Sequence, residues 1–446
     1  MWFRRDLRLD DNPAWSAATT ECAQVVALFV LDVRLLDDAG PFRRRQLLAN
    51  VAALDEELRE RTGTGLTLRQ GNPTEVVAEV VAEATAGMVY LNADVSGFAT
   101  RRDRAVTASL PDGVGVRSLH GTLVHPPGTV LTKNGALSKV FTPFWRAWAA
   151  TPLDPWSAPG SAEVVSLAST GSLATDGEPP MAPGTAAALT RLEAFVAHAD
   201  RYGDERDFPA VAGTSMLSAD LKYGTLSPRT ALEVVGESTP GRAAWCRQLA
   251  WRDWYAHLLV AHPSLEREPM SERYRDVVWA DDPGGFEAWK QGRTGYPLVD
   301  AGMRELAATG WMHNRVRMVV ASFLVKDLLI DWRLGEAHFR RLLVDGDTSQ
   351  NVGNWQWSAG TGPDAAPYHR IMNPVLQSRK FDTDGTYIKH WVPELGGLPS
   401  AAVHAPWDLP PLELAAAGVT LGESYPWPIV DHFEARQRFM TAFRIE

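Results

Sequence analysis

Cysteine is scarce in this chain, and its scarcity removes several classes of protein. Cys22 and Cys246 are the only cysteines among 446 residues. A disulfide framework and any four-cysteine zinc or iron–sulfur site are therefore excluded. The sequence predicts no metal site, and it favours the reducing cytoplasm as the compartment.

Long apolar runs are also missing. No stretch approaches the roughly eighteen apolar residues that a membrane span needs. The first residues, MWFRRDLRLDDNP, are charged from Arg4 onward and have no signal-peptide apolar run. We therefore expect no membrane association, and a monomer is expected because nothing in the sequence indicates an obligate oligomer.

Neither an excess of positive charge nor a glycine-rich nucleotide motif is present. The formal net charge is −10, which argues against a protein coated in positive charge for nucleic acid but leaves room for a local basic patch. No strand is followed by GxGxxG, and no GxxxxGK[ST] occurs. The chain does contain 17 tryptophans, a large number that makes stacking or electron-transfer roles worth testing.

The first part of the chain alternates strand and helix patterns. Strands are predicted at Val25–Leu31, Leu66–Leu68, Met88–Leu91 and Val114–Leu119, and helices at Phe42–Arg61 and Thr100–Leu110. Asn72-Pro73 is a typical helix start, with Asn as the cap and Pro at the first helical position. This alternation predicts a Rossmann-like α/β domain with a parallel sheet at residues 1–123. Its first strand would comprise little more than Met1–Phe3, so either the natural start lies a few residues upstream or this edge of the sheet is weak.

The remainder of the chain has a different pattern. Residues 124–185 are rich in Pro, Gly, Ser, Ala and Thr, which predicts a long linker interrupted by the aromatic segment Phe141–Trp148. Helices are predicted beyond it at Ala186–Arg201, Ala243–Ala261, Leu298–Thr309, Arg315–Trp332, Glu336–Val344 and His432–Phe443. The predicted fold class is α/β plus α, with an all-helical domain at residues 186–446.

Residues 345–374 have little apolar periodicity. The segment begins DGDTSQNVGNWQW, and a loop of this length is typical of a functional or disordered region. Trp355, Trp357, Tyr368 and Ile371 are large apolar groups that favour burial, which argues against disorder. We predict that the segment forms a pocket wall for a flat heteroaromatic ligand with polar edges.

Several motifs occur here in the order of one known family. They are WFRRDLRLDDNP (2–13), RDFPAVAGTSMLS (206–218), LSP (226–228), LAWRDWY (249–255), GYPLVDAGMREL (295–306), GWMHNRVRM (310–318), KDLLIDW (326–332) and the DGD…NWQW segment. On these motifs the chain resembles the DNA photolyase/cryptochrome family, most closely class I cyclobutane pyrimidine dimer photolyases. The resemblance implies an FAD enzyme that splits flipped-out thymine dimers with blue light. It also implies an antenna chromophore in the α/β domain.

The resemblance implies a set of FAD-binding residues. On their own, the hydroxyls and N–H groups of residues 213–218 fit a helix cap as well as a pyrophosphate site, and Asp345 and Asp347 fit a turn as well as a pocket. The implied FAD contacts are Tyr202, Thr214, Ser215, Met216, Leu217, Ser218, Arg252, Arg317, Asp345, Asp347 and Asn351. Asp345 is implied to pair with Arg317 near the flavin ring, and Asp347 to hydrogen-bond the polar edge of the ring.

Asn351 corresponds to the residue that faces flavin N5. Asparagine there is typical of photolyases, whereas plant cryptochromes carry aspartate and insect ones cysteine. A neutral amide avoids a second negative charge beside anionic reduced flavin, which favours repair over signalling. Trp355, Trp332 and Trp279 match the electron-transfer chain of the family, although core packing is the simpler interpretation of each taken alone.

The lesion-binding residues are also implied by the resemblance. Trp251 and Trp357 match the aromatic pair that encloses the dimer, and Asn314 and Met318 match residues that contact its other faces. Arg206, Arg315 and Arg370 match phosphate-contacting positions, although any one of them could equally be a surface ion pair.

Gln248 departs from the pattern of most dimer photolyases, which have glutamate there. Its amide still donates a hydrogen bond to a thymine carbonyl but supplies no proton. Glutamine is found there in (6-4) photolyases, yet those enzymes also need a histidine pair where this chain has Asn314 and Met318. We therefore expect repair of cyclobutane dimers and not of (6-4) products.

The resemblance also bears on the identity of the antenna chromophore. Ala99, in DVSGFATRRD, occupies the place where folate-binding members carry glutamate, so 8-hydroxy-5-deazaflavin is expected, with 5,10-methenyltetrahydrofolate as the alternative.

Two other functions are alternatives to dimer repair. One is a cryptochrome-like photoreceptor without repair activity, and the other is a flavoprotein that binds DNA without repairing it.

Overall fold

The computed structural model describes residues 1–153, 158–363 and 370–444. Tyr368, expected in the pocket wall, lies outside these ranges. The chain divides into two compact units. The first contains Met1–Gly203, Ser215–Pro263 and Val344–Gln350, and the second contains Asp204–Thr214, Ser264–Leu343 and Asn351–Glu446. None of the described helices combines the length and the apolar character of a membrane span.

The first unit holds the strands. They are β1 Trp2–Phe3, β2 Gln24–Val26, β3 Leu28–Leu31, β4 Thr67–Gln70, β5 Met88–Asn92, β6 Gly115–Leu119 and β7 Glu163–Val165. All pairings are parallel: β1 with β3, β3 with β4, β2 with β7 and β5 with β6. Its helices are α1 Pro13–Glu21, α2 Val33–Asp38, α3 Pro41–Thr62, α4 Pro73–Glu83, α5 Gly97–Ser109, α6 Phe141–Ala150, α7 Gly184–Val196, α8 Tyr202–Glu205 (shared with the second unit), α9 Ser218–Tyr223, α10 Pro228–Val235 and α11 Pro240–Ala261.

The second unit is helical. Its helices are α12 Pro283–Lys290, α13 Pro297–Thr309, α14 Asn314–Ser322, α15 Trp332–Leu342, α16 Thr348–Ala359 (which starts in the first unit), α17 Pro374–Phe381, α18 Thr386–Trp391, α19 Pro411–Ala416 and α20 His432–Ala442. The parallel strands near the N-terminus and the helical remainder confirm the predicted fold class.

Two of the three small parallel sheets share an apolar core with helices α4 and α5. Residues from β1, β3 and β5 pack against α4 and α5 in one cluster of Trp2, Leu28, Val30, Val76, Val77, Val80, Val81, Val89, Leu91 and Val106. Valine and leucine dominate because strands covered by helices are buried on both faces.

The end of the sheet near β1 is incompletely packed. The Met1 ammonium is buried, and it donates a hydrogen bond to the Val26 carbonyl at 2.8 Å. Burial lowers the pKa of this amino group to about 5. A cavity of about 560 Å³ lies beside it, lined in part by Val25, Val81 and Tyr90. The strand is as short as the sequence indicated.

Three predicted elements need correction. The expected strand Val25–Leu31 is two strands, because Gln24–Val26 pairs with β7 while Leu28–Leu31 pairs with β1 and β4. The expected helix Arg315–Trp332 ends at Ser322 and continues as the π-helical turn Phe323–Asp327. Trp332 instead begins α15, which Asp331 caps by accepting from the Arg333 N–H at 3.0 Å.

The expected loop at residues 345–374 is the third correction, since Thr348–Ala359 form helix α16. Val352, Trp355, Gln356 and Ala359 are all at most 2% exposed, and they follow the spacing of one helical face. Polar side chains concealed this period: Gln356 is buried because its amide donates to the carbonyls of Leu265 and Glu268.

The predicted linker is tied to the first unit by strand and side-chain contacts. β7 pairs with β2 in a two-stranded sheet, and on α3 the side-chain oxygens of Gln46 and Asn50 accept from the N–H groups of Met181 and Gly184 at 2.9 and 3.0 Å. The linker is therefore a packed segment over its described part, and the proposed domain boundaries at 123 and 185 stay predictions.

Candidate functional site

Asp347 is the centre of a buried charge cluster in the first unit. It is 7% exposed. It contacts the Arg5 guanidinium and accepts from the Ser349 hydroxyl at 2.6 Å and the Gln350 N–H at 3.1 Å. Burial by itself raises the pKa of Asp347, but Arg5, Arg252 and these hydrogen bonds hold the pKa well below its usual value. Asp347 is therefore a fixed anion at any physiological pH.

Arg252, also expected at the flavin, is held by backbone oxygens of the same unit. Its guanidinium donates to the carbonyls of Leu221 and Thr122, and its own carbonyl accepts from the Gln350 side chain at 2.8 Å. Arg5 was not selected by sequence reasoning. Its signal was the RRD motif near the N-terminus, and its partner Asp347 lies 342 positions away.

The segment before α9 brings two more predicted residues together. The Ser218 hydroxyl donates to Asp345 Oδ2 at 2.7 Å. Met216 has a positive φ of 54°, which is unusual for a side chain of this size. Leu217 and Tyr202 are buried, whereas Ser215 is half-buried. The turn at Met216 lies two residues before the start of α9 at Ser218. A positive φ at a residue with a side chain is strained, and such strain is common at binding sites.

In the second unit, Asn351 is held by one partner. Its Nδ2 donates to the Glu336 carbonyl at 3.0 Å and to Glu336 Oε1 at 2.8 Å. A backbone carbonyl only accepts, so this contact fixes which way the amide faces. The Asn351 side chain therefore presents Oδ1, a hydrogen-bond acceptor, on its other side. Thr214 and Arg317 also lie in this unit, and Arg317 donates to the Met312 carbonyl at 2.7 Å.

The three predicted electron-transfer tryptophans all lie in the second unit. Trp355 is 2% and Trp332 is 1% exposed, whereas Trp279 is partly exposed. The Trp355 ring packs against Gly335 of α15, the helix that Trp332 begins. The Ala280 N–H donates to the Leu329 carbonyl at 2.8 Å, which places Trp279 beside the segment leading to Trp332. The indole N–H groups of Trp332 and Trp355 are buried, and neither has a hydrogen-bond partner among the residues that the structure describes.

The predicted lesion residues divide between the units. In the first, Trp251 stacks on Phe141 with ring centroids 3.7 Å apart and planes 12° apart. Gln248, one turn earlier on α11, donates to the Ala244 carbonyl at 2.9 Å. One face of the Trp251 indole is thus covered by a ring of the chain itself.

In the second unit, Asn314 and Met318 lie side by side on α14, with Nδ2 and Sδ 3.8 Å apart. Asp207 pairs with Arg315 at 2.8 Å and approaches Arg206 at 3.8 Å, so one carboxylate partly neutralises two arginines that were expected to contact phosphates. The Arg370 guanidinium lies 5.9 Å from the Trp357 ring centroid. Arg315 also stacks on Phe381 at 4.3 Å.

His313, directly before Asn314, was not selected from the sequence. Its Nδ1 caps α14 by accepting from the Arg315 N–H at 3.1 Å. Burial and the nearby Arg317 lower the pKa of His313 to about 4. This histidine is therefore neutral at physiological pH, and its 2% exposure removes it from contact with solvent.

Comparison with known proteins identifies the kind of protein to which these features belong. Residues 1–160 match the family described as DNA photolyase, and residues 245–445 match the FAD binding domain of DNA photolyase. The helical half therefore contains an FAD-binding domain.

Individual relatives match over the full length. A deoxyribodipyrimidine photo-lyase from Agrobacterium fabrum is 40% identical over 99% of this chain and 97% of its own. A solved class III photolyase from Agrobacterium tumefaciens has a TM-score of 0.91 and 38% identity, covering 99% of this chain and 96% of its own. A Synechocystis cryptochrome also has a TM-score of 0.91, with 30% identity and 100% and 98% coverage. The chain belongs to the DNA photolyase family.

Proposed function

We propose that this protein repairs cyclobutane pyrimidine dimers in DNA under blue light. Bound FAD, in its reduced form, would supply the electron that opens the cyclobutane ring and would recover it afterwards, with no net redox change. The residues of the chain bind the flavin, hold the flipped dimer and exclude water from it.

The observation that carries the choice of substrate is the Asn314–Met318 pair. The two side chains are neighbours on α14, and neither one titrates. Repair of a (6-4) product needs a proton donor at this place. His313 does not supply it, because it is buried, caps the helix and has its pKa lowered to about 4. A cyclobutane dimer needs no such proton, and so it fits the residues present.

The amide of Asn351 supports a reduced flavin as the cofactor state. With both amide hydrogens donated to Glu336, its Oδ1 faces away as an acceptor. A flavin carries hydrogen on N5 only when it is reduced or partly reduced, so an acceptor favours those forms. Asp347, a permanent anion beside Arg5 and Arg252, suits the N–H groups at the polar edge of the flavin ring.

The two-point stacking of the lesion is supported in each unit separately. Trp251 is backed by Phe141, which fixes the plane of its indole. Arg370 lies over the Trp357 ring, which combines a stacking surface with a cation for phosphate. Burial of Trp355 and Trp332 and the partial exposure of Trp279 fit a relay from the interior to the surface.

We further propose 8-hydroxy-5-deazaflavin as the antenna chromophore. Arg5 and Asp94 follow the carboxyl ends of β1 and β5, the edge where open α/β sheets bind ligands. Ala99 is buried and offers no carboxylate to a pterin. Extraction and mass spectrometry of the bound chromophores should find a deazaflavin beside FAD, and a folate would contradict this assignment.

The function is tested by illuminating the reduced holoenzyme with three oligonucleotides, which carry a cyclobutane dimer, a (6-4) product or no lesion. We expect restored thymines from the cyclobutane dimer only, and only in light. Restoration of the (6-4) product would contradict the substrate assignment. Light-dependent flavin chemistry without any repair would favour the cryptochrome-like photoreceptor, and dimer binding without flavin photochemistry would favour a simple DNA-binding flavoprotein.

A further inference from the structure

One segment of this acidic protein contains no acidic residue. Aspartate and glutamate make up 54 of the 446 residues, yet none occurs in residues 113–153. The basic residues of that segment are Arg117, Lys133, Lys139 and Arg146. Arg117 pairs with Glu21, but the other three are exposed and form no ion pair within the described residues. We call Lys133, Lys139 and Arg146 the linker cations.

The segment is packed onto α11 by its helix α6. Phe141 stacks on Trp251, and the Trp148 indole N–H donates to Asp253 at 2.8 Å. Asp253 is fully buried and also accepts from the N–H groups of Val124 and His125. This carboxylate is therefore occupied by buried N–H donors of the segment.

Arg247 of α11 contacts two aromatic rings of α6. Its guanidinium lies 4.5 Å from the Trp145 ring centroid and 5.3 Å from that of Phe141. In the described part of the chain no carboxylate pairs with it. Arg242, on the same helix, shows the contrast, because it pairs with Asp200 at 2.7 Å. Arg247 is thus a cation held in place by rings and not by an opposite charge.

The position of Arg247 relates it to the lesion. Residues four apart on a helix lie on the same face, so Arg247 and Trp251 project from neighbouring turns of α11. Both rest on Phe141, Trp251 through stacking and Arg247 through its guanidinium. A phosphate next to a base stacked on Trp251 would meet this guanidinium, whose planar fork matches phosphate oxygens.

We propose that Arg247 binds a phosphate of the DNA strand beside the base that stacks on Trp251, with the linker cations extending the same positive surface. Trp145 is a positioning residue, because its ring restricts the guanidinium to the orientation used for the phosphate. The proposal rests on the proposed function, since it assumes that Trp251 contacts DNA. It adds a phosphate contact that lies outside the arginines clustered around Asp207.

The test is a dark titration of the holoenzyme with fluorescent duplexes, one undamaged and one carrying a cyclobutane dimer, over a series of KCl concentrations. Each phosphate contact contributes about 0.9 to the slope of log affinity against log salt for duplex DNA. Arg247→Gln should raise Kd about tenfold for the damaged duplex and reduce its slope by about one. Arg59→Gln is the matched control, because Arg59 is an exposed arginine whose partner is Asp55, and it should change neither quantity.

Trp145→Leu separates positioning from charge. It keeps the guanidinium but removes the ring, so we expect Kd to rise about threefold with the salt slope unchanged. An unchanged slope in Arg247→Gln would overturn the proposal, whether or not the variant were less stable to urea. If Arg247→Gln reduces the salt slope by about one but the unmodified enzyme repairs nothing in light, the proposed function fails while the phosphate contact stands.

Discussion

Asn351 is proposed to face the flavin, and Asn351→Asp tests most directly which contacts hold its side chain. The Asn351 amide donates both hydrogens to Glu336, and its side chain is 8% exposed. The new carboxylate has no hydrogen to donate when it is ionised. It would face the Glu336 carbonyl and the Glu336 carboxylate oxygen Oε1, which lies 2.8 Å from the Asn351 amide nitrogen that the new oxygen replaces.

The magnitude follows from the contact distances. Two negative charges about 3 Å apart repel by roughly 5 kcal/mol at an effective dielectric constant of about 20. Arg340, 3.2 Å from Glu336, offsets part of this repulsion. The pair instead takes up a proton, which costs about 1.4 kcal/mol for each pH unit above the usual pKa of the carboxyl group. We expect a loss of stability of about 3–4 kcal/mol near pH 7.

The sign of the pH dependence is the discriminating result. The folded variant binds one more proton than its unfolded chain, so its stability decreases as pH rises. Urea unfolding of wild type and Asn351→Asp between pH 5 and 7.5 should give a difference that grows by about 1.4 kcal/mol per pH unit. The control Asn351→Ala removes the same hydrogen bonds without adding charge, and its loss of about 2 kcal/mol should be independent of pH. A pH-independent loss in the aspartate variant would refute this reasoning.

Three further substitutions probe the surroundings of the site. Burial lowers the pKa of His313 to about 4, so the free energy of unfolding should fall as pH drops from 6.5 to 4.5, because the unfolded chain gains the proton first. His313→Asn keeps a helix cap and should reduce this fall by about 2 kcal/mol in urea titrations. Parallel pH curves for wild type and variant would contradict the claim. In Gly335→Ala the added Cβ would lie 2.2 Å from Trp355, so we expect a loss of about 2 kcal/mol in stability and slower flavin photoreduction. The control Gly284→Ala, whose added Cβ has its nearest atom at 3.6 Å, should be nearly neutral. Equal effects of the two substitutions would contradict the packing argument. Gln248→Glu introduces a titratable group, so the repair yield of this variant should vary with pH between 5 and 8, whereas the yield of wild type should not. If neither yield depends on pH, Gln248 does not contact the lesion.

Local signals account for the parts of the fold that the sequence predicted well. Asn72 caps α4 by accepting from the Thr74 N–H, with Pro73 at the first helical position, as the motif indicated. Helix α3 runs from Pro41 to Thr62, within one residue of the predicted Phe42–Arg61, because its apolar positions recur with helical spacing. These features depend on neighbours only a few residues apart.

The parts that the sequence did not predict depend on partners far along the chain. Val25–Leu31 divides between two ladders because β7 pairs with its first half, and an apolar run has no signal for such a change. Helix α16 was concealed by polar residues, such as Gln356, whose buried hydrogen bonds involve residues 265–270. For the site, motif resemblance supplied the residue set. It did not supply Arg5 as the partner of Asp347 or Glu336 as the partner of Asn351, since those pairings exist only in the folded chain.

Single-turnover repair by the reduced holoenzyme tests the central claim most directly. Enzyme bound to an oligonucleotide with one cyclobutane thymine dimer is illuminated in the absence of oxygen, and restored thymines and flavin absorbance are followed together. We expect restored thymines in light, none in darkness, and a flavin spectrum that is the same before and after illumination. No restoration in light, or restoration accompanied by stoichiometric oxidation of the flavin, would contradict it.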